Sequence, residues 1–322
     1  MKRLLVFIPA LLAVTVSFAE NHDLHIVTTG DVHGKWFPTS YVDGRSRTPS
    51  LMAVKAQVDS IRNAAGADNV LLIDAGDCLQ GDNATYYFNY VETGEPHLFP
   101  RLASYMGYDA IAVGNHDIEA GHKVYDKVRL ELQQAGIPFL GGNAVKEDGD
   151  TYFPEYAVIK RAGLKILVAG YTNANIKSWV SAEQWSGMTF EPVLSRIQNS
   201  LDRLVAKEKP QVVVVVAHTG TGDGDGSQLE NEGLDIFKEI KGVDLLICGH
   251  DHRPYVRNKP GFSIVDAGAR ASNLGHTVIS AKTKGRKVIS KEVKAEILRT
   301  DKRNIDAAMD ATVRIRFVRC SL

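Results

Sequence analysis

Aspartate, asparagine and histidine side chains of the kind that bind metals fall at five places in this 322-residue chain: Asp31 with His33, Asp77, Asn115 with His116, His218, and His250 with His252. Two Asp, one Asn and four His, with His116 set aside as a spare imidazole, offer nitrogen and oxygen donors without thiolate. That mixture suits Zn, Mn, Fe or Co better than Ca or Mg. It also exceeds what one tetrahedral ion takes, and a carboxylate such as Asp77 can bridge two ions ~3.5–4 Å apart. Such a pair lowers the pKa of water towards ~7, so the expected chemistry is hydrolysis with no separate general base. His116 sits beside a ligand and is itself uncommitted, which fits an acid for the leaving group near neutral pH.

Each motif is weak alone. Asp31-Val32-His33 also reads as a turn with an incidental His, Gly76-Asp77 and Gly114-Asn115 read as turn chemistry, and His218 reads as a hydrogen-bonded core residue. Gly249-His250-Asp251-His252 is stronger, because imidazoles two residues apart point the same way from an extended chain. The conjunction carries the assignment, since every place directly follows an apolar run.

Those runs, at residues 24–29, 70–74, 110–113, 166–169, 212–217, 245–248 and 262–265, are short and rich in Val, Ile and Leu, as strands are. Their near-continuous hydrophobicity predicts strands covered on both faces. Residues 51–64, 122–134, 193–206 and 229–240 carry helical period; Leu51, Val54, Val58 and Ile61 form one apolar face. Strand and helix in alternation predict an α/β fold with parallel pairing, and the carboxyl ends of parallel strands converge on one crevice. Residues 277–280 and 287–298, around a turn region at 282–286, predict a closing antiparallel hairpin.

The 38 basic and 38 acidic residues cancel, which argues against a nucleic-acid polymer or a polybasic membrane surface as partner and leaves a small anionic substrate open. Lys2 and Arg3, the apolar run 4–16 and Ser17-Phe18-Ala19 predict an export signal cleaved after Ala19. That run is shorter than the ~20 residues a spanning helix needs, and no later stretch is longer, so a soluble exported protein with no membrane span is expected. Cys78, Cys248 and Cys320 are too few and too scattered for a disulfide scaffold. The Gly/Asp-rich loop 219–226 reads as a flexible connector first and a mobile lid over the phosphate second, Trp36 and Phe37 as packing first and cleft wall second, and Asn83 and Asn173 as either phosphate contacts or turn caps.

The motifs Thr29-Gly30-Asp31-Val32-His33-Gly34, Asp74-Ala75-Gly76-Asp77, Gly114-Asn115-His116-Asp117, Ala217-His218-Thr219 and Gly249-His250-Asp251-His252 resemble the calcineurin-like metallophosphoesterases, in particular the periplasmic 5'-nucleotidase branch, over residues 24–300. The resemblance implies a four-layer α/β/β/α sandwich of two mixed sheets, with a dimetal site at the strand ends. It implies one metal on Asp31, His33, Asp77 and His252, another on Asp77, Asn115, His218 and His250, and His116 as the residue that protonates the leaving oxygen. The carboxylate that orients His116 is expected at Glu119, where Asp is the familiar residue, with Asp117 as rival. His252 departs from those nucleotidases that carry Gln there. The expected layout is a signal at residues 1–19, a catalytic domain at 20–300 and a tail at 301–322 that either ends a single-domain relative or begins a linker to a second domain. The implied substrate is a small phosphorylated molecule, a 5'-nucleotide first, with UDP-sugar or 2',3'-cyclic nucleotide hydrolysis as alternatives and a non-catalytic exported binder as the alternative of another class.

Overall fold

The apolar runs become strands because each is buried on both faces, so its backbone groups must find partners within a sheet. The computed structural model describes residues 19–39, 48–306 and 308–309. The first half of the chain supplies β1 (Ala19–Thr29), α1 (Leu51–Ala65), β2 (Val70–Asp74), α2 (Asn83–Tyr86), α3 (Leu98–Met106), β3 (Ala110–Ala112), α4 (Asn115–Glu119), α5 (His122–Gln134), β4 (Phe139–Leu140) and β5 (Ala144–Val145). Then follow β6 (Tyr156–Arg161), β7 (Leu164–Tyr171), β8 (Thr189–Phe190), α6 (Val193–Glu208), β9 (Val212–Ala217), α7 (Gly233–Glu239), β10 (Leu245–Cys248), β11 (Tyr255–Lys259), β12 (Phe262–Asp266), β13 (Asn273–Lys284) and β14 (Lys287–Arg299).

Two six-stranded sheets result, ordered β14-β13-β1-β2-β3-β4 and β11-β12-β10-β9-β7-β6. β1 to β4 run parallel, and the expected hairpin of β13 and β14 joins them antiparallel. In the second sheet β12, β10, β9 and β7 are parallel, with β11 and β6 antiparallel at the edges. Side chains alternate across each sheet. Val212, Val214 and Val216 pack between the sheets against Leu24, Ile26, Leu71 and Ile73, while Val213 and Val215 face Ile197, Leu201 and Leu204 of α6. On the opposite outside, Leu51, Val54 and Val58 of α1 join α3 and α5 over the first sheet. This is the four-layer α/β/β/α sandwich of two mixed sheets.

Three differences from the sequence reading have local causes. The last helix starts at Gly233 rather than 229, because Glu232 is taken up by the backbone N–H groups of Val193 and Leu194 at the start of α6, and the Glu230 carbonyl by Gly220 and Thr219. β6 and β11 are partly exposed along their length, β6 with Val158 and Lys160 and β11 with Val256, Arg257 and Asn258 outward, as befits edge strands. The 219–226 loop is not free along its length: Thr219 and Thr221 are buried, and Thr221 donates from N–H and hydroxyl to Asp251 at 2.9 and 2.8 Å. Trp36 is fully buried and stacks on Phe99, so it packs the core. Burial pushes the thiols of Cys78 and Cys248 up, which suits inert core residues. Beyond β14, the Asp306 N–H donates to the Met52 carbonyl at 3.0 Å and Met309 is buried against the α1 layer. Of the expected signal at 1–19, residues 1–18 lie outside the described residues, as do Cys320 and the end of the tail, while Ala19 opens β1. Among the described residues no helix is long and apolar enough to cross a membrane.

Candidate metal centre

Four loops follow β1, β2, β9 and β10, and α4 follows β3, all at the end of the sandwich where the carboxyl ends of the parallel strands meet. The first sheet contributes Asp31, His33, Asp77 and Asn115, the second His218, His250 and His252. Five of these seven, Asp31, His33, Asp77, His250 and His252, have φ between 47° and 86°, where L side chains other than Asn, Asp and His rarely sit. Five such residues gathered at one end of the sandwich make it a candidate site. The expectation of an extended 249–252 segment is overturned by the same angles. His250 and His252 diverge, the first to Asn115 and the second to His33 and Asp31. Close approach explains the motif glycines: a Cβ on Gly114 would fall 2.0 Å from Asp77 Oδ1.

The donor atoms converge. His33 Nε2 lies 2.9 Å from His252 Nε2, and 3.9 and 3.8 Å from Asp31 Oδ1 and Asp77 Oδ2. His252 Nε2 is 3.4 Å from Asp31 Oδ1. His218 Nε2 is 3.1 Å from Asp77 Oδ2, and both it and His250 Nδ1 are 3.0 Å from Asn115 Oδ1. Ligands of one tetrahedral ion with bonds of ~2.0–2.1 Å stand about 3.3 Å apart, so these spacings fit metal coordination. Asp31, His33 and His252 form one group able to hold an ion, and Asp31, Asp77 and His218 another.

Each carboxylate is half spoken for. Asp31 Oδ2 accepts from the His250 N–H at 2.9 Å and Asp77 Oδ1 from the His116 N–H at 2.8 Å. The other oxygens, Asp31 Oδ1 and Asp77 Oδ2, are buried with no hydrogen-bond partner among the described residues. A buried carboxylate oxygen without a donor is costly unless a cation meets it, so the residues present fit divalent metals. The imidazoles are oriented to match. His218 Nδ1–H donates to the Ala75 carbonyl at 2.8 Å and His33 Nδ1–H meets the Gln80 carbonyl at 3.2 Å, which turns each Nε2 towards the centre.

Electrostatics point the same way. Burial works to raise Asp77, but the neighbouring His218, His116 and His33 outweigh it and hold its carboxyl well below the usual range. Burial lowers His33, and burial with the charge of His218 lowers His250 to about 4. His218 is the exception: burial would lower it, yet Asp77 and Asp31 raise it to about 10.

Beside this centre, His116 Nδ1 is hydrogen-bonded to Glu119 Oε2. Asp117 turns away from the imidazole and is buried, accepting from the N–H groups of Asp77, Cys78, Leu79 and Gly114 at 2.8–3.0 Å. A cavity of about 440 Å³ opens over His33, His116 and His252, and Asn83 lines it. Asn173 does not; its side chain caps the turn at Asn175 and donates to Glu230. Sequence reasoning missed Arg270, on the cavity wall, and Trp179, whose ring lies 5.2 Å from His250 and nearly parallel to it. Neither follows a strand directly, and the sole signal was one cation in the small-residue run Ala267-Gly268-Ala269-Arg270-Ala271.

The calcineurin-like phosphoesterase model matches residues 24–254. A 5'-nucleotidase of Diplobatis ommata is 28% identical over 249 residues, which is 75% of this chain and 40% of that protein. Protein UshA of Yersinia enterocolitica is 27% identical over 218 residues, 64% of this chain and 37% of its own. The chain thus covers about two fifths of the length of these relatives. The calcineurin-like phosphoesterase YfkN of Bacillus subtilis shares the fold with a TM-score of 0.79 at 19% identity, over 92% of this chain and 96% of that one. The match runs from β1 through the His250 and His252 loop, well over half of the chain, and stops short of β11 and β12 in the second sheet and β13 and β14 in the first; the chain belongs to the calcineurin-like phosphoesterase family.

Proposed function

We propose that this protein hydrolyses phosphate monoesters, 5'-nucleotides foremost, with two divalent metals held by Asp31, His33, Asp77, Asn115, His218, His250 and His252. The carrying observation is the pair of buried carboxylate oxygens, Asp31 Oδ1 and Asp77 Oδ2, ringed by imidazole nitrogens from both sheets. Bound there, the ions supply Lewis-acid charge and make water nucleophilic at neutral pH. Asp77, 3.8 Å from His33 Nε2 and 3.1 Å from His218 Nε2, would be the carboxylate shared by the two ions. The mixed N/O set favours Zn, Mn, Fe or Co.

The remaining work falls to the chain's own residues. Glu119 on Nδ1 fixes the His116 ring so that Nε2 is free to face the cavity. As the phosphorus–oxygen bond to the leaving group breaks, the His116 Nε2 proton passes to the departing oxygen, which leaves as an alcohol. Asp117 holds the β2 and β3 loops in register through its four backbone contacts. Residues 20–300 form the catalytic domain, and export with cleavage after Ala19 follows from the basic, apolar and small-residue order of residues 1–19. The nucleotide preference is supported by the names of the relatives.

The test is phosphate release by Mn- or Zn-loaded protein from AMP, UMP, UDP-glucose, a 2',3'-cyclic nucleotide and glycerol phosphate, beside Asp77→Ala. Turnover favouring AMP and UMP and lost in Asp77→Ala is expected. Equal rates on glycerol phosphate would replace the nucleotidase reading with an unselective phosphatase, and silence despite two bound metals would leave a binder.

A further inference from the structure

The cavity over His33, His116 and His252 is lined by two cations, Lys35 and Arg270. They are not equivalent. Lys35 Nζ lies 2.8 Å from Asp82 Oδ2, so its charge is matched. Arg270 is exposed, and among the described residues its guanidinium meets no carboxylate and no carbonyl. Its backbone, by contrast, is fixed. The Arg270 N–H donates to the carbonyl of Asp31 at 2.8 Å, and Arg270 and Ala271 hold φ of 58° and 54° in succession. The turn before them is tied by buried Asp266, which accepts from the Gly268 N–H at 2.7 Å. A left-handed backbone anchored on a proposed metal ligand thus carries an unpaired planar cation to the wall of the reaction cavity.

A guanidinium presents parallel N–H groups matched to two oxygens of one phosphoryl group. A monoester dianion offers both oxygens and two charges; a diester has one charge fewer and one more oxygen esterified. We propose that Arg270 grips the substrate's phosphoryl group and thereby sets a preference for dianionic monoesters over monoanionic diesters. This deepens the phosphoesterase reading above and rests on it.

The test compares wild type, Arg270→Gly and Arg270→Lys, all Mn-loaded, on p-nitrophenyl phosphate and bis(p-nitrophenyl) phosphate. Glycine removes the guanidinium while suiting the positive φ, so folding is preserved. Arg270→Gly is expected to lose roughly 10- to 100-fold in kcat/KM on the monoester, and under about 3-fold on the diester. Lysine should restore part of the loss, because it keeps the charge without the fork. Equal losses on both esters, or none on the monoester, would overturn the proposal. Calorimetric titration of inorganic phosphate into the metal-loaded proteins reads the same contact without turnover. If wild type hydrolyses neither of these esters nor AMP, the phosphoesterase reading fails, but weaker phosphate binding by Arg270→Gly still sustains the contact and equal binding removes it.

Discussion

His116 and Asp117 are adjacent in sequence and opposite in surroundings. The His116 ring is partly exposed to the cavity and packs edge-on against His33 with centroids 5.3 Å apart, while its backbone N–H donates to Asp77 Oδ1. Removing the ring therefore removes the proposed acid and leaves the ligands in place: His116→Ala should lower kcat by about 10²–10⁴-fold with metal content unchanged by elemental analysis. Loss of the metals in that variant would put His116 in the coordination set instead. Asp117 has the reverse profile. Burial and the charge of Asp77 push its carboxyl up to about 7, against the pull of its backbone donors. Two N–H groups point at each oxygen, so Asp117→Asn would turn an amide N–H towards two donors that lose their acceptor. The expected cost is roughly 2–6 kcal/mol at 1–3 kcal/mol per unsatisfied buried donor, read from urea unfolding. A change under about 1 kcal/mol would show that the loops do not depend on it.

At the scale of elements, α3 begins on an ionisable cap. The Phe99 N–H donates to His97 Nδ1 at 3.1 Å, so Nε2–H donates to Asn89 Oδ1 at 3.0 Å, and Asn89 in turn donates to the Leu79 carbonyl beside the Asp77 loop. Only the neutral imidazole satisfies both contacts, and burial with the charge of Lys127 lowers its pKa to about 3. The unfolded chain takes up this proton near 6.5 and the folded one does not, so stability is present above 6.5 and lost as pH falls from 6.5 towards 3. The contribution is up to ~1.4 kcal/mol per pH unit. His97→Asn, a cap that does not titrate, should flatten the slope between about pH 5 and 6.5 in urea melts; an unaltered slope would assign the acid sensitivity elsewhere. The helix itself was illegible in sequence, because Pro100 reads as a breaker although a first-turn Pro loses no intrahelical bond. Strands β2, β9 and β10 were legible end to end, being apolar on both faces, whereas β6 and β11 carry Arg and Lys on exposed positions. The seven proposed ligands were legible for the same reason as their strands, since each motif closes or closely follows an apolar run. Arg270 and Trp179 reach the site from turns whose course no periodicity encodes.

For the whole molecule, the seven proposed ligands straddle the sandwich: Asp31, His33, Asp77 and Asn115 extend from one sheet and His218, His250 and His252 from the other. Metals held there would pin the two sheets together at one end. Without metal, His218 and Asp77 form an ion pair across that end, beside the His250, His252 and His33 contacts given above. Although burial opposes it, the carboxylates raise the His218 pKa to about 10. A raised folded pKa means stability that is fully present below 6.5 and is lost as pH climbs from 6.5 to about 10. Metal displaces that proton, so the loaded protein is spared the loss, and its metal affinity grows as protons cease to compete. Chelation is therefore expected to lower the melting temperature, by the equivalent of about 4 kcal/mol per site at a free metal concentration 1,000 times Kd. The gap between loaded and chelated protein should widen from pH 6.5 upward. Asp77→Ala on one sheet and His218→Ala on the other should each close most of the gap alone, and the double variant should add little, because either loss unpins the same joint. Additive losses would mean that the two residues act on separate sites.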